Sequence, residues 1–277
     1  MVRLIILYNM VICIENQNIN EGGDYMCLDD VNTSSFSNIQ YLYSNYREIP
    51  YHVLKDLFER GITQQGLSNK GDEFLDGTSI LLIKIYNDKT ILPAIVDMIF
   101  YRNRKGLFTH DLIWTFFQAK DPYSLMLIAN YLNSEDVNDV KLAYQLLEFA
   151  PSIDITMEKD NKKQYIDFFY WIKENYPFLY FTGESFQRTS KPKPYIIALD
   201  AKYLCRDVSL YTGKPFIPYT KNENNLLSYF NNLDEYNKML LSNFSRRIHY
   251  KNIYLWKSWI NYSITNQISI AEARFRD

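Results

Sequence analysis

The chain has 277 residues, 47% of them hydrophobic and 22% charged, which suits one large folded domain or two smaller ones and excludes a disordered chain. The net charge of −2 excludes a global attraction to nucleic acid and leaves only a local basic surface open. Cys13, Cys27 and Cys205 are too widely spaced for a disulfide framework or a zinc site, so we expect a reducing, cytoplasmic environment.

The first 25 residues resemble the core of a signal peptide, because Arg3 precedes a run of about ten mostly apolar residues. This run is too short to span a membrane as a helix, and no small-residue cleavage site follows it. Residues Glu21 to Met26 can be encoded by a strong bacterial ribosome-binding site followed by ATG. We therefore expect translation to start at Met26, so that residues 1–25 are an upstream extension. The abundance of Asn, Ile, Lys and Tyr indicates an AT-rich Gram-positive bacterium or one of its mobile elements.

Helical signals follow from residue 26 onwards. The polar and aromatic stretch from Ser34 to Tyr46 predicts a short helix, and Pro50 opens another that is expected to stop at Gly61. Residues Ile62 to Gly77 contain three glycines and predict a loop. Thr78 is then expected to cap the very apolar segment that follows.

The stretch from Thr90 to Pro151 predicts a mostly α-helical fold built from stacked antiparallel helical hairpins. Thr109 and Asp121 are expected to cap helices within it. Two architectures fit, a HEAT-like repeat and an irregular helical bundle. Apolar residues recur with helical spacing in two sets: Leu125, Ile128, Ala129 and Leu132, and then Val140, Ala143, Tyr144 and Leu147.

The remainder of the chain changes character twice. The spacing of Ile166, Phe169 and Tyr170 predicts a helix that ends at Pro177. Residues 179–220 contain four prolines and two glycines and form an irregular Pro-rich segment, in which the β-like run Tyr195–Leu199 is compatible with a small β-hairpin. We therefore divide the chain into a helical-hairpin domain (26–178), this segment (179–220) and a C-terminal helical cap (221–277), in which Asp234 is an expected N-cap.

The Pro-rich segment is the predicted partner-binding element, because long loops on a rigid scaffold carry binding function disproportionately. This favours a non-enzymatic protein-interaction or scaffolding role, with another protein or a second copy of the chain as the partner. The residues expected to contact it are Phe181, Phe186, Arg188, Lys191, Lys193 and Tyr195.

A second interpretation is nucleic-acid binding by the C-terminal helices. Residues 242–258 contain no acidic residue, and aromatic residues alternate there with cations, as in sites that bind single strands. The cations are Arg246, Arg247, Lys251 and Lys257. We favour the structural alternative, in which Ile253, Leu255, Trp256 and Ile260 belong to the core and the cations face water.

No catalytic residue, metal site or cofactor is predicted. Ser185 lies two residues after Gly183 but lacks the second glycine of a nucleophile elbow, and His52, His110 and His249 have no partner at metal-binding spacing. Cys205 lies near Lys202 and Arg206 in the sequence, which would activate a thiol, although a buried structural cysteine is favoured. An enzyme whose residues converge from distant positions is the third interpretation.

Overall fold

The structure is a computed structural model that describes residues 48–153 and 160–275, so the expectations for residues 1–47 lie outside the described residues. Within these residues a two-stranded sheet is formed by β1 at Leu179–Phe181 and β2 at Tyr195–Ile197. The α-helices of the described residues are α1 Tyr51–Thr63, α2 Asn69–Lys84, α3 Leu92–Arg104, α4 His110–Gln118, α5 Leu125–Ala129, α6 Val137–Leu147, α7 Asn161–Asn175, α8 Leu199–Tyr203, α9 Lys221–Asn231, α10 Glu235–Lys251, α11 Ile253–Trp259 and α12 Ile264–Phe275. The predicted mostly α-helical fold with a small β-hairpin is confirmed.

Several helices start at the capping residues that the sequence predicts. Asp121 accepts a hydrogen bond from the Tyr123 amide, and Asp234 accepts one from the Asn237 amide. Thr109 occupies the N-cap position of α4 but makes no capping hydrogen bond through its side chain. The two apolar sets of the central stretch are buried, as their spacing predicts.

The prediction of a loop from Ile62 to Gly77 is wrong, because most of this range is helical. Helix α2 begins at Asn69, and Ser68 caps it by accepting from the Gly71 amide. The first turn of α2 is exposed, and its polar residues therefore have the composition of a loop. Thr78 is a buried residue inside the helix, where its hydroxyl donates to the Phe74 carbonyl at 2.8 Å.

Helix α7 forms where the sequence predicts it, but Ile166, Phe169 and Tyr170 lie on its exposed face. The buried face consists of Gln164, Phe168, Ile172 and Asn175. Gln164 is fully buried and donates from its amide group to the Tyr144 hydroxyl, so a polar residue occupies a core position.

The helices pack in sequence neighbours and near-neighbours: α1 against α2, α2 and α3 against α4, and α3 against α6. The C-terminal helices α10, α11 and α12 pack together around a core that includes Tyr203, Phe230, Phe244 and Trp259. The Pro-rich segment and its hairpin lie in the chain between these two groups of helices.

A buried ion pair joins α2 to α3, and its arginine also contacts the loop before α4. Arg102 is 1% exposed, and its Nη1 lies 2.9 Å from Oδ1 and 3.0 Å from Oδ2 of Asp76. The same Nη1 donates to the Phe108 carbonyl at 3.3 Å, while Nη2 lies 3.5 Å from Asp72. Burial raises the pKa of Asp76 to about 7; the Arg102 guanidinium opposes this shift, and the carboxylates of Asp111 and Asp72 add to it.

The raised pKa of Asp76 predicts a pH dependence of stability. The folded state binds the carboxyl proton of Asp76 more tightly than the unfolded chain does. The contribution of this proton to the free energy of unfolding is therefore complete below about pH 4 and is lost as the pH rises through about 7. We expect the stability of the wild type relative to Asp76→Asn, which cannot titrate, to fall by about 2–4 kcal/mol between pH 4 and 8. Urea unfolding of both proteins across this range measures the difference, and parallel pH profiles would contradict the prediction.

Candidate functional site

The β-hairpin organises the segment that the sequence singles out for binding. Strands β1 and β2 are antiparallel, with Phe181 opposite Tyr195. The pairing continues beyond the strands, because the Thr182 amide donates to the Pro194 carbonyl at 2.9 Å. Glu184 accepts a hydrogen bond from the Lys193 amide at 2.8 Å. The loop between the strands is therefore closed at its base by defined hydrogen bonds.

A buried lysine fixes the helices on both sides of this hairpin. Lys202, in α8, is 1% exposed, and its Nζ donates to Oδ1 of Asn175, at the end of α7, at 2.6 Å. It also donates to Oδ1 of Asn243 in α10 and, at 3.4 Å, to Glu174. Burial lowers the pKa of Lys202, while three oxygen acceptors match its three ammonium hydrogens.

Tyr195 anchors the hairpin to the helical stack instead of facing a partner. Its side chain is 2% exposed, and burial raises the pKa of its hydroxyl. The Tyr195 ring centroid lies 6.4 Å from that of Phe117, 6.2 Å from that of Phe149 and 5.7 Å from that of Phe181. The position predicted for partner contact is thus a structural one.

The other predicted partner-binding residues keep some access to solvent. Phe181 and Phe186 are half-buried, whereas Arg188, Lys191 and Lys193 are exposed. The Lys191 ammonium lies 3.6 Å from Glu148, so the loop also contacts the end of α6. Five of the six predicted partner-binding residues are therefore accessible to solvent, and Tyr195 is not.

A group of aromatic rings and one lysine lies beside the hairpin, and we call it the hairpin surface; it consists of Lys120, Tyr123, Tyr176, Phe181 and Tyr211. The rings of Tyr123 and Tyr176 stack with their centroids 4.1 Å apart, and both are exposed. The Lys120 ammonium lies 5.5 Å from the Phe181 centroid and 5.0 Å from that of Tyr211, which is 66% exposed.

A tight turn holds Tyr211 in this position. The Phe181 amide donates to the Leu210 carbonyl at 2.8 Å, and the Ser209 amide donates to the Lys214 carbonyl at 2.8 Å. Gly213 has φ +67°, and a Cβ there would lie 2.9 Å from the Tyr180 ring, so a larger residue does not fit. Phe216 and Ile217 follow the turn and are both exposed.

Four of the five residues of the hairpin surface are absent from the predicted site: Lys120, Tyr123, Tyr176 and Tyr211. The one local signal was the Asp121–Pro122 helix start, which places Lys120 and Tyr123 on either side of a turn. Lys120 itself has φ +50°, a left-handed backbone conformation that is uncommon for a residue other than glycine and that the sequence does not indicate.

The residues considered as catalytic candidates, Ser185, Cys205 and His110, make contacts that stabilise the fold. Ser185 is buried, and its carbonyl accepts hydrogen bonds from the Arg188 and Thr189 amides. Burial raises the pKa of the Cys205 thiol to about 11, the opposite of activation. Arg206, expected near this thiol, instead pairs with Glu223 at 2.8 Å. His110 starts α4 and stacks on Phe108.

Of the four C-terminal cations predicted to bind nucleic acid, the two arginines lie over aromatic rings and the two lysines are exposed. The guanidinium carbon of Arg246 lies 5.5 Å from the Phe178 centroid, and that of Arg247 lies 5.6 Å from the Phe244 centroid. Lys251 and Lys257 are exposed. The prediction that four apolar residues of this region belong to the core is wrong for Ile253 and Leu255, which are exposed. Trp256 is half-buried and Ile260 is buried. Asn252 explains this, since it interrupts the helix and starts α11 in a new orientation.

Within residues 48–153 and 160–275, no group of three His, Cys, Asp or Glu side chains is arranged to hold a metal ion. Across the same residues, no helix has both the length and the apolar character needed to cross a membrane. Comparison of the chain with protein-family models, curated proteins and solved structures finds no match.

Proposed function

We propose that the protein is a non-enzymatic interaction or scaffolding protein whose hairpin surface binds an extended segment of a protein partner. The observation that carries the proposal is the exposed Tyr123–Tyr176 stack, with Lys120, three residues before Tyr123, in contact with the exposed Tyr211 ring. Tyrosine provides a large amphipathic contact area at a low cost in side-chain entropy, and it is enriched in protein interfaces.

The geometry favours an extended segment over a flat protein surface. Exposed rings that project from turns present faces and edges on which proline or aromatic side chains pack, as in the recognition of proline-rich peptides. The Lys120 ammonium lies close to the rings of Phe181 and Tyr211, so it favours Tyr211 in its exposed position before a partner arrives.

The proposal places the protein in the cytoplasm of an AT-rich Gram-positive bacterium or one of its mobile elements, on the grounds of cysteine spacing and residue composition. The settings of Ser185 and Cys205 support an interaction role, since Ser185 is buried and burial raises the pKa of the Cys205 thiol to about 11.

A photo-crosslinking amino acid at Tyr211 tests the proposal in cells that contain the native partners. The matched control carries it at Tyr229, an equally exposed tyrosine on α9 (64%). We expect one partner to be crosslinked from position 211 and not from 229. Tyr211→Ala should then weaken binding of that purified partner at least about tenfold, as loss of a central aromatic does.

Lys120→Asn is the companion variant, because Asn tolerates the left-handed backbone of Lys120 but removes the cation. It should weaken the same complex without unfolding the protein. Equal crosslinking from both positions, or unchanged affinity in Tyr211→Ala, would refute the proposal. A crosslink to a second copy of the chain would replace the partner by self-association.

A further inference from the structure

Two tyrosines at the junction of α10 and α11 are among the most exposed aromatic residues of the described chain. Tyr250 is 82% exposed and Tyr254 is 79% exposed. Asn252 fixes the backbone between them, because its amide donates to the Ile248 carbonyl at 2.8 Å and its side chain accepts from the Tyr254 and Leu255 amides. The two rings therefore extend into solvent from a defined backbone.

Side-chain contacts between α10 and α11 stabilise this junction. The half-buried Trp256 donates from Nε1 to the Ser245 hydroxyl at 2.7 Å, and its ring meets the His249 ring edge to face at 4.9 Å. The contact links α11 to α10 across the break at Asn252. Exposed rings on a rigid support lose little freedom when a ligand stacks on them.

The local charge is positive in a chain that is otherwise acidic. Residues 242–277 hold six cations and two acidic residues, a net charge of +4, against −6 for the rest of the chain. Lys251 and Lys257 alternate with the two tyrosines in sequence, and neither forms an ion pair with another described residue. We call Tyr250, Lys251, Tyr254 and Lys257 the C-terminal surface.

A cleft adjoins this surface through Leu255, the residue after Tyr254. It has a volume of about 280 Å³ and is also lined by Trp259, Tyr262 and Arg274. Trp259 carries a buried Nε1 hydrogen that has no acceptor among the described residues. The cleft thus adds apolar walls and Arg274 beside Leu255.

We propose that the C-terminal surface binds single-stranded nucleic acid. Bases stack on Tyr250 and Tyr254, while Lys251 and Lys257 contact the phosphates between them. Alternation of exposed rings with cations fits the alternation of bases and phosphates in a strand; an acidic peptide has charges for the lysines but no flat rings for the tyrosines. The proposal is independent of the hairpin surface, and together the two would connect a nucleic acid to a protein partner.

Fluorescence anisotropy with labelled oligonucleotides of about 12 residues, DNA or RNA, tests the proposal at about 50 and 200 mM salt. We expect the single strand to bind more tightly than a duplex of equal length, because duplex bases are not free to stack. Tyr250→Ala and Tyr254→Ala should each weaken binding about 5- to 100-fold. Lys251→Gln with Lys257→Gln should lower the slope of log affinity against log salt by about 1.4.

The matched control is Tyr236→Ala, an exposed tyrosine in the first turn of α10, whereas Tyr250 lies in its last turn. This variant should bind like the wild type, and circular dichroism should show that all variants remain folded. Three results would overturn the proposal: equal affinity for single strand and duplex, unchanged affinity in both tyrosine variants, or displacement by polyglutamate as effective as by the oligonucleotide. None of these results bears on Tyr211 or the hairpin surface.

Discussion

Arg102→Ala is expected to lower the free energy of unfolding by about 3–5 kcal/mol, which in a domain of ordinary stability leaves much of the protein unfolded. The reason is that Asp76 would stay buried without the cation that lies 2.9 Å away, so it must either take up a proton or remain an unpaired buried charge. The variant also removes the donor to the Phe108 carbonyl, which ties the end of α3 to the loop before α4. Urea unfolding followed by tryptophan fluorescence measures the loss.

The chain contains a matched control for this variant. Arg60 and Asp56 form an ion pair on the surface of α1, where both side chains are at least half exposed. Arg60→Ala should therefore cost no more than about 1 kcal/mol. The double variant Asp76→Leu with Arg102→Met should be more stable than Arg102→Ala, because it removes both buried charges. Equal losses for Arg102→Ala and Arg60→Ala would show that the buried pair does not stabilise the fold.

The features that the sequence predicts are those whose cause lies within a few residues. The caps at Asp121 and Asp234 are recognisable because acceptor and donor are two or three residues apart. The stripe from Leu125 to Leu132 is recognisable because burial follows the helical period. The hairpin is predicted less strongly, because its β-like run is short. It is still recognisable, because its two strands are antiparallel and close in sequence.

The features that the sequence does not predict depend on partners from elsewhere in the chain. Nothing near Gln164 indicates that it is buried, because its partner Tyr144 belongs to another helix. The contact between Lys120 and Tyr211 joins residues far apart in sequence, and so does the one between Lys202 and Asn243. Asn252 is a local capping signal, but the helical spacing of the apolar residues on both sides of it suggests one continuous helix. The cap at Asn252 starts a new helix and so changes which residues of α11 face the core.

Tyr195→Ala is the second variant with a large expected effect, and it connects the fold to the proposed function. Truncating a fully buried aromatic typically costs about 3–5 kcal/mol, because the cavity forfeits its packing contacts. Here the lost contacts are those to Phe117, Phe149 and Phe181, which hold the hairpin on α4 and the end of α6. We expect the hairpin to detach more readily than the helices unfold, and partner binding at Tyr211 to fall with it.

Amide hydrogen exchange separates this local effect from global unfolding. In Tyr195→Ala, the amides of Phe181 and Thr182, which donate to Leu210 and Pro194, should lose more protection than those of α3. Tyr195→Phe keeps the ring and should stay within about 1 kcal/mol of the wild type. If Tyr195→Ala exposes all amides equally, the hairpin is an integral part of the helical core. If it leaves Phe181 protected, the aromatic contacts of Tyr195 do not anchor the surface that carries Tyr211.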